Sequence, residues 1–271
     1  MRLFALSDLH LGHAANREAM HEIRARPDDW LILAGDVAEK NEHIRFAFEL
    51  FSKKFRRLAW VPGNHELWTR PGTETVRGAE RYGELLGICR EYGVLTPEDD
   101  YPVLDLEGGP VRLCPMFTLY DYSFRPAEIA LEDAVGWARE SGVLCSDEFF
   151  LSPSPHGSRS EWCRERVALT RGRLDALDDG LPTVLVNHWP LREDMAATPR
   201  IPRFSIWCGT RQTEDWHRRY RASAVVSGHI HIPSSRRLDG TAFEEVSFGY
   251  PKQWRGRRPE PDMAVRQILP A

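Results

Sequence analysis

The 271-residue chain predicts an α/β fold. Two observations carry that expectation. Short apolar runs recur along the sequence, and each stops abruptly at a cluster of polar residues. Stretches with helical spacing of apolar residues lie between those runs. Continuous apolar runs of this length fit strands buried on both faces. Strands alternating with helices imply crossover units.

Taken in order, Arg2 to Ser7 is the first run, and it ends at Asp8-Leu9-His10. Arg17 to Arg26 reads as a helix leading to the second run, Trp30 to Ala34, which stops at Gly35-Asp36. Glu42 to Phe55 places Ile44, Phe48 and Phe51 on one helical face. The third run, Arg57 to Val61, stops at Pro62-Gly63-Asn64-His65-Glu66. Gly78 to Tyr92 is a further helix, and Val111 to Phe117 a further strand. From Thr118 to about Glu161 the chain is rich in aromatic and turn residues. That stretch reads as a cap or insertion on a single domain spanning residues 1–271. Arg164 to Leu177 is the next helix. Thr183 to Val186 then stops at Asn187-His188, and Ala224 to Ser227 stops at Gly228-His229-Ile230-His231. Trp254 to Pro261 reads as a basic, proline-bearing surface loop. In open α/β sheets ligands gather beyond the carboxyl ends of the strands, and the polar clusters fall there.

Composition narrows the class. Hydrophobic residues make up 42% and charged residues 28%, which excludes a largely disordered or fibrous chain. Lys and Arg number 36 against 40 Asp and Glu, a net charge of −4, so nothing points to a nucleic-acid-coating protein. No apolar run approaches the ~20 residues of a membrane helix. The apolar N-terminus ends at once in Ser7-Asp8, so no signal peptide is expected. The five cysteines are odd in number and lack C-x-x-C spacing. A disulfide framework and a zinc knuckle are thereby disfavoured, and a cytoplasmic protein with buried free thiols is expected.

Of ten histidines, His10, His65, His188, His229 and His231 all stand at the end of an apolar run. One such histidine is ordinarily structural, but five in the same topological place are hard to explain by packing. They come with Asp8, Asp36 and Asn64. Burying carboxylates with imidazoles is costly without a cation between them. Asp8-x-His10 and His229-x-His231 each place two ligand-type side chains on one side of an extended strand end. Gly35, Gly63 and Gly228 are expected to let the backbone turn sharply beside them. The donors are oxygen and nitrogen without thiolate, which suits Mn, Fe, Zn, Co or Ni.

The ordered series Asp8-x-His10, Gly35-Asp36, Gly63-Asn64-His65-Glu66, His188 and Gly228-His229-x-His231 resembles the signature of the calcineurin-like metallophosphoesterase superfamily. All five blocks are present, from residue 3 to about 250. The resemblance implies a four-layer α/β/β/α sandwich with two adjacent metals at the carboxyl ends of the central strands. It implies Asp8, His10, Asp36 and His231 around one ion and Asp36, Asn64, His188 and His229 around the other. It also implies in-line attack on phosphorus by a hydroxide shared between the metals. His65 would face the leaving group rather than a metal. Glu66 either orients a neighbour or is an ordinary capping carboxylate. Candidates for substrate contact are Arg125, whose guanidinium suits phosphate, with Tyr120, Tyr122 and Trp189. For each of these, core packing is the plainer alternative.

These readings lead to a metal-dependent phosphoric ester hydrolase acting on a small soluble phosphoester. It would be a phosphomonoesterase, phosphodiesterase or pyrophosphatase. A lipid-linked or nucleotide pyrophosphatase would share the core but needs a membrane-facing element. A nuclease needs a basic groove, for which His217-Arg218-Arg219-Tyr220-Arg221 and the arginines of the 254–261 loop are the only material. A protein phosphatase is a further alternative. A catalytically dead scaffold should have lost ligands, and none is missing.

Overall fold

The computed structural model describes residues 1–254 and 260–270, and residues 255–259 of the expected basic loop lie outside that range. The strands are β1 (Leu3–Leu6), β2 (Arg26–Leu33), β3 (Phe55–Trp60), β4 (Val103–Leu106), β5 (Gly109–Pro115), β6 (Thr183–Val186), β7 (Ala222–Ser227), β8 (Ser234–Leu238), β9 (Thr241–Glu245) and β10 (Arg266–Leu269). The helices that matter to the site are α1 (Ala14–His21), α2 (Asn41–Ser52), α3 (Asn64–Leu67), α4 (Ala79–Glu91), α5 (Ala134–Glu140), α6 (Asp147–Phe150) and α7 (Arg159–Asp175).

The strands form two sheets. One runs β10-β1-β2-β3, with β1, β2 and β3 parallel and β10 antiparallel to β1. The other runs β4-β5-β6-β7-β9-β8, parallel from β5 to β9 and closed at each edge by an antiparallel strand. Side chains alternate in direction along a strand, so each strand serves two cores. Leu3, Ala5, Ile32 and Ala59 of the first sheet share an apolar cluster with Leu113, Val184, Val186, Ala224 and Val226 of the second. The intervening residues turn the other way. Phe4, Leu6, Leu31 and Leu33 join a cluster with Phe48 and Phe51 of α2 and Leu85 and Ile88 of α4, which also takes in Leu185, Val225 and Trp162 and Val167 of α7.

At the carboxyl end of β1 the sheets are tied together. Ser7 bridges to Ser247 beyond β9. Its N–H donates to Val246 O at 3.0 Å, and its carbonyl accepts from Phe248 N at 2.8 Å.

Element ends differ from expectation for local reasons. The helix expected over Arg17–Arg26 is α1, and Arg26 already opens β2. Pro27 has no N–H to continue a helix and biases the residue before it toward extended geometry. The helix expected to reach Phe55 stops at Ser52, because Phe55 belongs to β3 and packs on Phe4 and Phe51. The helix expected from Arg164 begins at Arg159, where the Ser158 hydroxyl accepts from Glu161 N and caps it. All five cysteines are buried free thiols. Among the described residues no helix is long and apolar enough to cross a membrane.

Candidate metal centre

Every block of ligand-type residues lies just past the carboxyl end of a strand. β1 delivers Asp8 and His10, β2 delivers Asp36, and β3 runs into α3, which opens with Asn64 and His65. From the second sheet, β6 delivers His188 and β7 delivers His229 and His231. Asp8, His10, Asp36, His229 and His231 all adopt left-handed backbone, with φ of 53°, 43°, 53°, 73° and 52°. Such geometry is unfavourable for residues with a β-carbon and persists only where the surroundings enforce it. Here it aims side chains of different strands at one point. The sharp turns expected at three glycines are therefore made largely by the ligand-type residues themselves. Gly35 alone of the three is left-handed. Gly63 and Gly228 serve close approach, since a β-carbon at either would collide with the carboxylate of Asp36 or Asp8.

One ligand-type atom each from Asp8, His10, Asp36 and His231 lies within 4.8 Å of the others. Beside them, Asn64 Oδ1 lies 3.2 Å from His188 Nε2 and 3.1 Å from His229 Nδ1. Asp36 touches both groups, because its Oδ2 is 3.5 Å from His188 Nε2 and 4.0 Å from His10 Nε2.

Outer partners fix which atoms face inward. His188 Nδ1 donates to Ala34 O at 2.9 Å, which turns the lone pair of Nε2 toward Asn64 and Asp36. Gln253 Oε1 accepts from Tyr250 N, so it also accepts from His231 Nδ1 at 2.8 Å. Asn64 Nδ2 donates to Asp147 Oδ1 at 2.9 Å, which pins Oδ1 as the inward acceptor. The Asp8 carboxylate accepts from Ser7 Oγ at 2.6 Å, Ser247 Oγ at 2.7 Å and His229 N at 3.0 Å.

The site therefore gathers acceptors with few protons among them. Burial pushes the His10 and His229 imidazoles well below their usual range, helped by His65 in the first case and His188 in the second. Burial takes His188 down to about 4. Burial, then the neighbouring Asp8 and Glu66, raise Asp36 well above the carboxylate range. Burial would also raise Asp8, but His231 and the other imidazoles hold it well below. Burial opposes a charged His231 as well, and Asp8 and Gln253 outweigh it and raise its pKa. Converging lone pairs with opposed carboxyl shifts are relieved by cations. An oxygen–nitrogen donor set of this kind fits transition metals of borderline character, and the residues present fit the metals that the sequence implies.

His65 is held at the edge of this group. Its ring lies 4.6 Å from that of His10 and 3.6 Å from that of Trp68. Nδ1 is 3.1 Å from Glu39 Oε1, and Nε2 is 3.0 Å from the Tyr250 hydroxyl. That hydrogen bond to His65 is the chief reason the Glu39 carboxyl is held below its usual range. Glu66 is fully buried. It accepts from the N–H groups of Asp36 at 2.9 Å, Gly63 at 3.0 Å and Val37 at 2.8 Å, so it both caps α3 and fixes the loop that carries Asp36.

The four substrate candidates stand elsewhere. Arg125 donates to Ile129 O at 2.7 Å and Tyr122 O at 3.2 Å, so its guanidinium holds its own loop together. Tyr120 and Trp189 have no exposure. Trp189 packs edge-on against His188 and beside His229, behind the ligand-type face. Tyr122 donates to Glu148 Oε1 at 2.9 Å. Residues that sequence reasoning did not single out include Ser7, Glu39, Asp147, Ser247, Tyr250 and Gln253. Ser7, next to Asp8, and Glu39, three residues past Asp36, were within reach of a local signal. Asp147, Ser247, Tyr250 and Gln253 meet the site from 83, 239, 185 and 22 residues away.

A sequence model described as calcineurin-like phosphoesterase matches residues 1–233. The chain is similar to the protein named [acyl-carrier-protein] phosphodiesterase PptH of Mycobacterium tuberculosis, 49% identical over 271 residues, which covers 99% of this chain and 83% of that one. It is also similar to the crystal structure of the phosphopantetheinyl hydrolase PptH from Mycobacterium tuberculosis, with a TM-score of 0.94 and 48% identity, covering 100% of this chain and 96% of that one.

Proposed function

The chain belongs to the calcineurin-like phosphoesterase family and is a metallophosphoesterase, and from that premise we propose that it cleaves the phosphodiester joining a phosphopantetheinyl group to an acyl-carrier protein. The observation that carries this reading is the extent of the likeness to PptH. It covers 99% of the chain, so it takes in residues beyond 233 and the 118–161 segment that no signature block touches. The substrate is a phosphoester, as the sequence implies. A protein-linked diester is broader than the small soluble ester expected from the sequence alone.

Two transition-metal ions are proposed, one held by Asp8, His10, Asp36 and His231 and one by Asp36, Asn64, His188 and His229. When bound, they supply Lewis acidity to the phosphoryl oxygens and make water a stronger nucleophile at neutral pH. The chain's own groups do the rest. Glu39 Oε1, 3.1 Å from His65 Nδ1, orients the imidazole. Nε2 then holds a proton for the departing oxygen, at the place where the Tyr250 hydroxyl marks hydrogen-bonding distance. Glu66 keeps the Asp36 loop from shifting.

Residues 118–161 are proposed as a cap. Asp147 of α6 reaches from it to Asn64, and Trp68 Nε1 donates to the same Asp147 oxygen at 2.6 Å. Asp147→Ala is expected to free the Asn64 amide to rotate. Outer partners of this kind typically change metal affinity about 10- to 100-fold. A competition titration with a chromogenic chelator should show a loss of that size confined to one ion, and an unchanged titration would remove Asp147 from this role.

The activity is tested by incubating the metal-loaded enzyme with a phosphopantetheinylated acyl-carrier protein. Intact-protein mass spectrometry should show the mass of one phosphopantetheinyl group leave the carrier. A carrier that stays modified, while aryl phosphodiesters are cleaved, would refute the substrate reading and leave the enzyme class standing.

A further inference from the structure

A groove of about 740 Å³ adjoins the candidate metal centre, and His231 forms part of its wall. This volume lies in the ~300–1,000 Å³ range of small-molecule sites. Its other walls come from separate parts of the chain: Arg200 and Ile201 from one loop, Ile230 and Ile232 from the loop past β7, and Lys252 from the stretch beyond Tyr250. Ile201 and Ile232 are 44% and 42% exposed. Among the described residues, two isoleucines from separate segments of the chain are left exposed along one groove.

The position of the groove relative to His65 matters. The His10 ring lies 4.6 Å from that of His65 and 5.0 Å from that of His231, which forms part of the groove wall. If the departing oxygen leaves at His65, the substituent that stays on phosphorus extends past His231. In the hydrolysis proposed above, water oxygen forms the new bond to phosphorus. The bond from phosphorus to the carrier-protein oxygen breaks, and a proton passes to that oxygen. The group that stays is the phosphopantetheine arm. This arm bears a dimethyl-branched carbon close to its phosphate and two amides beyond. Its branched carbon matches the exposed isoleucines of the groove, and its amides have Arg200 and Lys252 among the lining residues.

We propose that this groove is the subsite for the 4′-phosphopantetheine arm, gripped between Ile201 and Ile232. The proposal rests on the phosphodiesterase reading for the orientation of the arm. The test uses the metal-loaded full chain and the double variant Ile201→Ser/Ile232→Ser, whose changes are on the surface. Calorimetric titration should show that the parent binds 4′-phosphopantetheine at least about tenfold more tightly than inorganic phosphate. The variant should lose that preference. Small apolar contacts in a pocket are typically worth about 10- to 200-fold. In the variant, KM for the modified carrier protein should rise with kcat retained. Equal affinity of the parent for the two ligands, or an undiminished preference in the variant, overturns the groove. If the parent leaves the carrier protein intact but cleaves coenzyme A, which bears the same arm, and the preference holds, the groove stands and the carrier-protein reading falls. If the carrier is cleaved and the variant keeps its preference, the activity stands and the groove falls.

Discussion

Asp36→Asn is expected to lower kcat/KM by at least about a thousandfold and to leave a chain that retains at most one of the two proposed ions. Asp36 is the group common to both sets of donors, with Oδ2 facing His188 and His10 while Oδ1 accepts from His65 N at 2.9 Å. Asparagine keeps the shape and that last hydrogen bond but removes the charge. Losing one well-placed electrostatic donor typically costs about 10²–10³ in rate, and a group shared by both ions should reach or exceed the upper end. Misfolding will not explain the loss. Burial and Asp8 raise the Asp36 pKa, so in the metal-free fold its charged form carries a cost. A raised carboxyl pKa subtracts stability above the unfolded value, and that cost fades as pH falls. A neutral asparagine removes the cost, so metal-free Asp36→Asn should melt no lower than the metal-free parent. Elemental analysis, steady-state kinetics and thermal melts on the same sample check all three statements. Full metal content with a near-normal rate would sink the shared-ligand assignment.

His65→Ala is expected to keep both ions and lose rate in proportion to how poor the leaving group is. The nearest partners of the His65 ring nitrogens are Glu39 at 3.1 Å and Tyr250 at 3.0 Å, while Asp36 Oδ2 stands farther off, 3.8 Å from Nε2. General acid catalysis contributes about 10²–10⁴-fold. An aryl oxide departs with little protonation, so aryl diesters should suffer least. An alkyl diester, such as the linkage to a carrier protein, should suffer most. The rates on both kinds of ester, at matched metal content, decide the matter. An equal fall on both means that His65 stabilises phosphoryl oxygens rather than protonating the leaving group. A fall in metal content means that the ligand assignment is wrong.

The strand–helix alternation and the strand-end clusters were legible because both are local. β1, β6 and β7 are apolar runs that break at polar residues, and a period of two or 3.6 shows in any short window. Strands at the sheet edges were not. β8 is Ser-Ser-Arg-Arg-Leu, largely exposed, and β10 gains its place only by pairing with β1 from the far end of the chain. The site divides in the same way. Its seven ligand-type residues and His65 stand in short motifs. Their supports do not, since Asp147 meets Asn64 from 83 residues away and Tyr250 meets His65 from 185. Arg125 was singled out for its chemistry, and chemistry alone does not reveal that its donors are spent on Tyr122 and Ile129.

The split of donors between the sheets has a consequence for biosynthesis. Asp8, His10, Asp36 and Asn64 come from the first sheet, and His188, His229 and His231 from the second. The first sheet is itself incomplete until β10 is made and returns to β1. A chain emerging from the ribosome N-terminus first therefore offers no finished set of donors until His231 of the second sheet is out. A complete donor set therefore exists only once the two sheets have docked, which couples metal capture to folding.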